Sequence, residues 1–196
     1  MRTTHSFTTQ ARRAQIVEAT VRVIAREGLP KASFGRIAAE AGLSSPGMIS
    51  YHFADKDELL TVLCDTILQG CVTSVDAAVS AADGLAAGLT AYVVAFIRWQ
   101  DGHREEVIAL WQLAAGWRRP GAQLAFDEAP LAEPLRAVLR DGQAAGVLRP
   151  LNEEWVAQTV LCAVKGYQQA LHDDPDVDAD AFAQTLVAVF AEGLLV

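Results

Sequence analysis

Cysteine is scarce in this chain. Cys64, Cys71 and Cys162 are odd in number and sit within helical patterns, which argues against a disulfide framework. Cys64 and Cys71 are two helical turns apart, roughly 10.5 Å at about 1.5 Å of rise per residue, so they cannot bridge within one intact helix. Apolar surroundings favour inert core thiols over a redox sensor, and a reduced, cytoplasmic protein is the natural inference. An apolar core is missing from the opening MRTTHSFTTQARRAQ, which therefore does not read as a secretory signal. No segment approaches the uninterrupted apolar length needed to span a bilayer, so no membrane partner is expected.

Catalytic signatures are missing too. There is no Gly-rich phosphate loop after a strand, no G-x-S-x-G and no H-E-x-x-H. The run HDDPDVDAD (172–180) has carboxylates but lacks the glycine and terminal Glu spacing of a calcium loop, and reads as a solvated interhelical loop. The expectation is a protein that is not an enzyme, with no catalytic residue, no cofactor and no metal site.

What remains is a globular composition, 52% hydrophobic and 20% charged, without low-complexity tracts. Its 196 residues suffice for a small domain plus a larger one. The net charge of −8 is unevenly spread: residues 1–52 carry +4 and the remainder −12. A basic head on an acidic body suits a protein that presents one end to phosphates.

Within that head, SFGRIAAEAGLSSPGMISYHF (33–53) organises the rest. Ser33 is an N-cap candidate, and Ile37, Ala38 and Ala41 form a small apolar face. Gly42 suits the left-handed conformation that ends a helix and turns the chain. Ser45 and Pro46 supply a second start, Ser as N-cap and Pro at the first helical position. Two short helices around a tight turn make a helix-turn-helix, whose second helix normally lies in the DNA major groove. Met48 and Ile49 anchor that helix, leaving Pro46, Gly47, Ser50, Tyr51 and His52 to face outward.

Residues from about Gln15 to Leu60 resemble the DNA-binding domain of the TetR family of transcriptional regulators. The matching pieces are IVEAT (16–20), EGL (27–29), IAAEAGLS (37–44), the YHF ending and DKDELL (55–60). Between Ala41-Gly42 and His52-Phe53 the chain is one residue longer than the commonest pattern, with Ser44-Ser45 the place for the extra residue; this bears on the register of base contacts. The resemblance implies an all-α protein of about nine helices. A helix-turn-helix head over 1–54 would bind double-stranded operator DNA, and a body over 55–196 would bind a small-molecule effector and dimerise.

For DNA, Ser33, Ser45, Tyr51, His52 and Lys56 are the expected phosphate-positioning residues, with Arg2, Arg12 and Arg13 as further phosphate or minor-groove contacts. Pro46, Gly47, Met48 and Ser50 are the expected base-edge readers, with Arg36 from the preceding helix. The recognition helix is poor in Arg, Asn and Gln, which make bidentate base contacts, so thymine-methyl contact and close approach at Gly47 take on more weight.

The body repeats the helical grammar. Helices are expected over about 9–27, 55–81, 85–100, 104–117, 152–171 and 180–195, with 122–145 broken by Pro130 and Pro134. Leu85, Leu89, Tyr92, Phe96 and Trp99 share one stripe; Val107, Ile108, Trp111 and Ala114 share another. Tyr92, Phe96, Trp99, Trp111 and Trp117 are the expected lining of an effector cavity, with His103, Arg104, Gln112 and Arg118 for polarity. Val156, Val160, Ala163, Val164 and Tyr167, with Phe182, Leu186, Val189 and Phe190, are the expected dimer helices; ordinary core is the competing reading. The expected function is a homodimeric, ligand-released repressor of a palindromic operator. An all-α binding protein or enzyme with a vestigial helix-turn-helix is the alternative.

Overall fold

Apolar residues recur at helical spacing along the whole chain, and the computed structural model turns that spacing into nine α-helices and one 3₁₀ turn among the described residues. The structure describes residues 3–194, and side chains from 9 to 190; Arg2 lies outside them. The helices form two compact units. The first takes the described residues up to Ile67 together with Arg104–Asp127; the second takes Leu68–His103 together with those from Glu128 onward. The expected 1–54 head falls inside the first unit, which also includes the start of α4 and all of α6.

In the first unit, α1 (Thr3–Glu27) starts earlier than the polar N-terminus suggested, since no glycine or proline interrupts it. Its Ile16, Thr20, Val23 and Ile24 are buried as expected, and Thr20 donates its hydroxyl to the Ile16 carbonyl at 2.7 Å. Burying an Ile-sized side chain contributes about 1.5–3 kcal/mol, so this stripe is the main cohesion of a small unit. After a 3₁₀ turn (Leu29–Lys31) come α2 (Phe34–Glu40) and α3 (Gly47–His52), both packed on α1. The helix α4 (Lys56–Ser80) opens on Asp55, whose Oδ1 accepts the Glu58 N–H at 2.8 Å. Glu58 reaches back one residue further than a strict capping box, accepting the Ala54 N–H at 2.7 Å.

The expected stripe of α6 (Arg104–Gly116) is rotated. Val107, Leu110 and Leu113 are buried, whereas Ile108, Trp111 and Ala114 are exposed. Both sets have helical spacing, and packing against α1 selects the one that faces inward.

In the second unit, α5 (Leu85–Gly102) lies centrally and packs against α7 (Ala129–Ala144), α8 (Glu153–Asp173) and α9 (Ala179–Leu194). Pro130 sits in the first turn of α7, where its missing N–H is costless; Pro134 is tolerated one turn later, inside the helix. Asn152 caps α8 as expected, accepting the Trp155 N–H at 3.0 Å. One helix departs from the sequence expectation: Lys56–Ser80 is long and apolar enough, by length and composition, to cross a membrane. Its apolar residues Leu59, Leu60, Leu63, Ile67 and Val75 are buried in protein, and Asp57, Glu58, Asp65 and Asp76 interrupt it.

Candidate nucleic-acid interface and effector cleft

Local chemistry sets the helix-turn-helix. Ser33 has extended backbone and its hydroxyl accepts the Arg36 N–H at 3.4 Å, so the expected cap is present. Gly42 turns the chain at φ +64°, and the Leu43 N–H closes back on the Ala38 carbonyl at 2.8 Å. The second start differs from expectation. Pro46 occupies the cap position and no side chain caps α3; Ser45 contributes only its carbonyl, which accepts the Met48 N–H at 3.2 Å. With Pro46 already in helical conformation, the serine lies one residue too far out to cap. Its neighbour Ser44 instead turns its hydroxyl to the Met48 sulfur, 3.3 Å away.

The α3 side chains divide sharply. Ile49 and Phe53 are fully buried and fix the helix from below. Ser45, Pro46, Gly47 and Ser50 are exposed, Met48 is half-buried, and Tyr51 is 77% exposed. A tyrosine left so open offers a partner an apolar ring to cover and a hydroxyl to hydrogen-bond.

Arg13, reaching across from α1, holds the end of α3. It donates to the His52 carbonyl and to Glu58 Oε1 at 3.1 Å, and its guanidinium lies 4.0 Å from the centre of the Phe53 ring. Gln15 on α1 adds a bond to the Ala41 carbonyl at 2.6 Å. His52 is half-buried beside Tyr51, ring centres 5.1 Å apart and edge-on. Burial, then the nearby Arg13 and Arg12, pushes its imidazole below the usual histidine range.

Most head arginines are already tied. Arg22 pairs with Glu40 at 2.6 Å, Arg26 with Glu105 at 2.9 Å, and Arg36 with Glu27. Arg36 is thus held towards α1 rather than out along the groove. Lys31 and Lys56 have no ion pair among the described residues. The sequence suggests for Arg13 only a phosphate or minor-groove contact, because its long-range contacts leave no local pattern.

The five expected cavity aromatics do not gather in one unit. Tyr92, Phe96 and Trp99 line the buried side of α5, and the Tyr92 hydroxyl donates to the Leu131 carbonyl at 3.0 Å. Trp99 stacks on His103 at 4.5 Å. Trp111 and Trp117 belong to the first unit because α6 packs on α1. Trp117 donates its indole N–H to Asp57 Oδ1 at 2.9 Å and borders a cleft of about 520 Å³ with Leu29, Lys56, Leu60 and Gln112. Gln112 fastens α6 to the end of α1, accepting the Leu29 N–H at 2.9 Å and donating to the Ile24 carbonyl at 3.0 Å. Arg118 is turned onto the carbonyls of Ala114 and Trp117.

A cleft of about 610 Å³ opens in the second unit between the end of α4, the start of α5 and α7. No sequence signal marked it, since its residues come from three separated stretches. The cysteines behave as expected where buried: burial raises the thiols of Cys64 and Cys71 to about 12. Cys162 is exposed, contrary to its reading as a core thiol, because it falls on the outward side of α8.

An all-α chain with a helix-turn-helix set on a buttressing first helix, followed by a larger helical unit, defines a class of DNA-binding regulators. Residues 16–63 match the model of bacterial regulatory proteins of the tetR family. Over 60 residues the chain is 38% identical to the HTH-type transcriptional regulator BetI of Burkholderia cenocepacia, covering 31% of this chain and 30% of that protein. The match thus spans under a third of that relative's length. A TetR family transcription regulator from Marinobacter aquaeolei superposes with a TM-score of 0.77 at 21% identity, covering 100% of this chain and 99% of the other. FadR of Bacillus subtilis, solved in complex with stearoyl-CoA, gives 0.77 at 18% identity, covering 90% and 96%. Residues 16–63 are thus similar to the DNA-binding domain of that family, and the chain has the fold of solved TetR-family regulators over its whole length.

Proposed function

We propose that this chain is a homodimeric transcriptional regulator, a repressor by family habit, acting in the cytoplasm. It binds a palindromic operator through Ser33–Lys56 and releases it when the second unit takes a small-molecule effector. The observation that carries the reading is the division of α3: a fully buried Ile49-Phe53 floor beneath an exposed Pro46, Gly47, Ser50 and Tyr51. Met48 completes the groove-facing set, and Arg36 joins it on leaving its pair with Glu27. Ser33, Ser45, Tyr51, His52 and Lys56 position phosphates. The functional division is a DNA-binding domain over 1–54 and an effector and dimerisation domain over 55–196.

The dimer is assigned to the outward faces of α8 and α9. Val160, Val164 and Tyr167 are buried within their own chain and hold the unit together instead. Trp155, Thr159, Cys162 and Gly166 form the open stripe of α8, and Val189 is open on α9. Trp155, 74% exposed, is the natural anchor of such a contact.

FadR shows that a protein of this fold holds a small molecule, stearoyl-CoA. Release requires that the effector bind the DNA-incompetent state more tightly, and that difference sets how far the equilibrium moves. The α5 aromatics Tyr92, Phe96 and Trp99 form the packed wall of the effector-binding unit. The single helix α4 begins beside the recognition helix at Lys56 and continues into the second unit, so it is the mechanical link.

The reading is tested with a mixed-sequence duplex and the variant His52→Ala/Lys56→Ala. Each lost cationic phosphate contact lowers the slope of log affinity against log salt by about 0.9, and a lost neutral contact lowers the affinity alone. An unchanged affinity and slope would remove both residues from the interface.

A further inference from the structure

The effector reading above leaves the chemistry of the ligand open, and the cleft between α4, α5 and α7 carries an answer that rests on that reading. Its floor is apolar: Val79, Leu85, Pro134 and Val138 line it. Gly88 and Gly142 bring α5 and α7 close together beneath it. A Cβ on Gly142 would lie 2.8 Å from the Leu85 side chain, and one on Gly88 3.1 Å from Val138. The space, about 610 Å³, falls in the range of small-molecule sites.

The polar part of the lining has one sign. Asp76 and Asp141 are the charged side chains on it, with Ser80 as a neutral partner, and no Lys, Arg or His lines the cleft. Neither carboxylate has an ion pair among the described residues. The basic residues of α7 are drawn elsewhere: Arg136 pairs with Glu154 at 2.7 Å and Glu133 at 3.2 Å, and Arg140 leans to Glu133 and Glu153. Two helices end at this cleft, α4 at Ser80 and α7 at Ala144, and helix C-termini favour positive charge. The start of α5 opposes them with one positive end. Two unpaired carboxylates and two C-termini outweigh it.

We propose that this cleft is the effector site and that it takes an organic cation with an apolar body, an amine, ammonium or phosphonium centre placed between Asp76 and Asp141. The same carboxylates, both exposed at the cleft, disfavour anionic amphiphiles. The ligand class differs from the stearoyl-CoA held by the FadR structure, whose polyanionic head would meet two like charges here.

The test uses the full chain and two ions of nearly equal shape and opposite charge, tetraphenylphosphonium and tetraphenylborate, titrated by calorimetry. The expected result is saturable binding of the phosphonium at one per chain, weakening as salt rises, and no saturable binding of the borate. Asp76→Asn/Asp141→Asn should lower phosphonium affinity about tenfold while circular dichroism and thermal midpoint stay unchanged. Ala137→Trp, which fills the cleft from an exposed α7 position, should abolish binding as an independent check. Borate binding equal to that of the phosphonium, or phosphonium binding indifferent to both variants, would overturn the proposal. Operator release is read separately by anisotropy. A cation that binds in the cleft without moving DNA would leave the site standing as a cation site and refute its role as the effector site.

Discussion

The DNA-facing helix and the cleft of the second unit are built on opposite terms. On α3 the exposed set is neutral, and three arginines around it are tied down: Arg13 to Glu58, Arg36 to Glu27, Arg22 to Glu40. In the cleft the floor is apolar and the two carboxylates have no counter-charge. The first surface is defined by where its side chains are held, the second by what charge it lacks. Perturbing support should therefore damage the head most, and perturbing charge should damage the cleft most.

The largest effect is expected from Ile49→Ala, which empties the floor of α3. A fully buried Ile lost to Ala costs about 2–5 kcal/mol, read as a shift in the urea midpoint, and operator binding should go with it. Trp155→Arg should come next. It leaves the fold intact and turns the dimer into a monomer by sedimentation velocity; a persistent dimer would move the interface off the outer face of α8. Third, Arg13→Met removes two contacts to the end of α3 and one to the start of α4 while leaving helix content unchanged, and should weaken operator affinity about tenfold. A loss of only the electrostatic slope would mean that Arg13 acts as a phosphate ligand rather than a brace.

Smaller effects sharpen the contrast. Tyr51→Phe should cost about 1 kcal/mol in operator affinity with an unchanged salt slope, because a neutral hydroxyl releases no counterion. Lys56→Met should do the reverse, lowering the slope by about 1.

The smallest effect is one of pH. The Ala54 N–H, then Arg13, hold the Glu58 carboxyl below its usual range, and burial holds the His52 imidazole below its own. The folded chain then binds fewer protons at both sites than the unfolded one, so each favours folding as pH rises. The stabilisation is complete above the unfolded values, about 6.5 for His and about 4.3 for Glu, and is lost as pH falls from there through the folded values. Thermal midpoints from pH 2.5 to 6 should fall less steeply on the acid side for Glu58→Gln than for the parent chain.

The head was legible in the sequence because its determinants are local. Ser33, Gly42, Asp55 and Asn152 act within four residues of themselves, so their caps and turns can be read by position alone. Ser45 failed by a single residue, since Pro46 is itself helical and displaces the cap. In the body, two stripes on α6 had equally good spacing, and only the presence of α1 decides that Leu110 goes in and Trp111 stays out. The cleft was invisible for the same reason. Asp76, Leu85 and Asp141 meet only because Gly88 and Gly142 let α5 and α7 approach.

The most direct test of the central claim, that α3 presents a rigid, neutral reading surface in a two-fold dimer, is a selection of randomised duplex DNA at two salt concentrations. A palindrome with half-sites about one helical turn apart, near 34–36 Å, should be enriched at both, because the sequence preference resides in neutral contacts. Enrichment of a single unpaired half-site, or binding without sequence preference that vanishes at the higher salt, would contradict it.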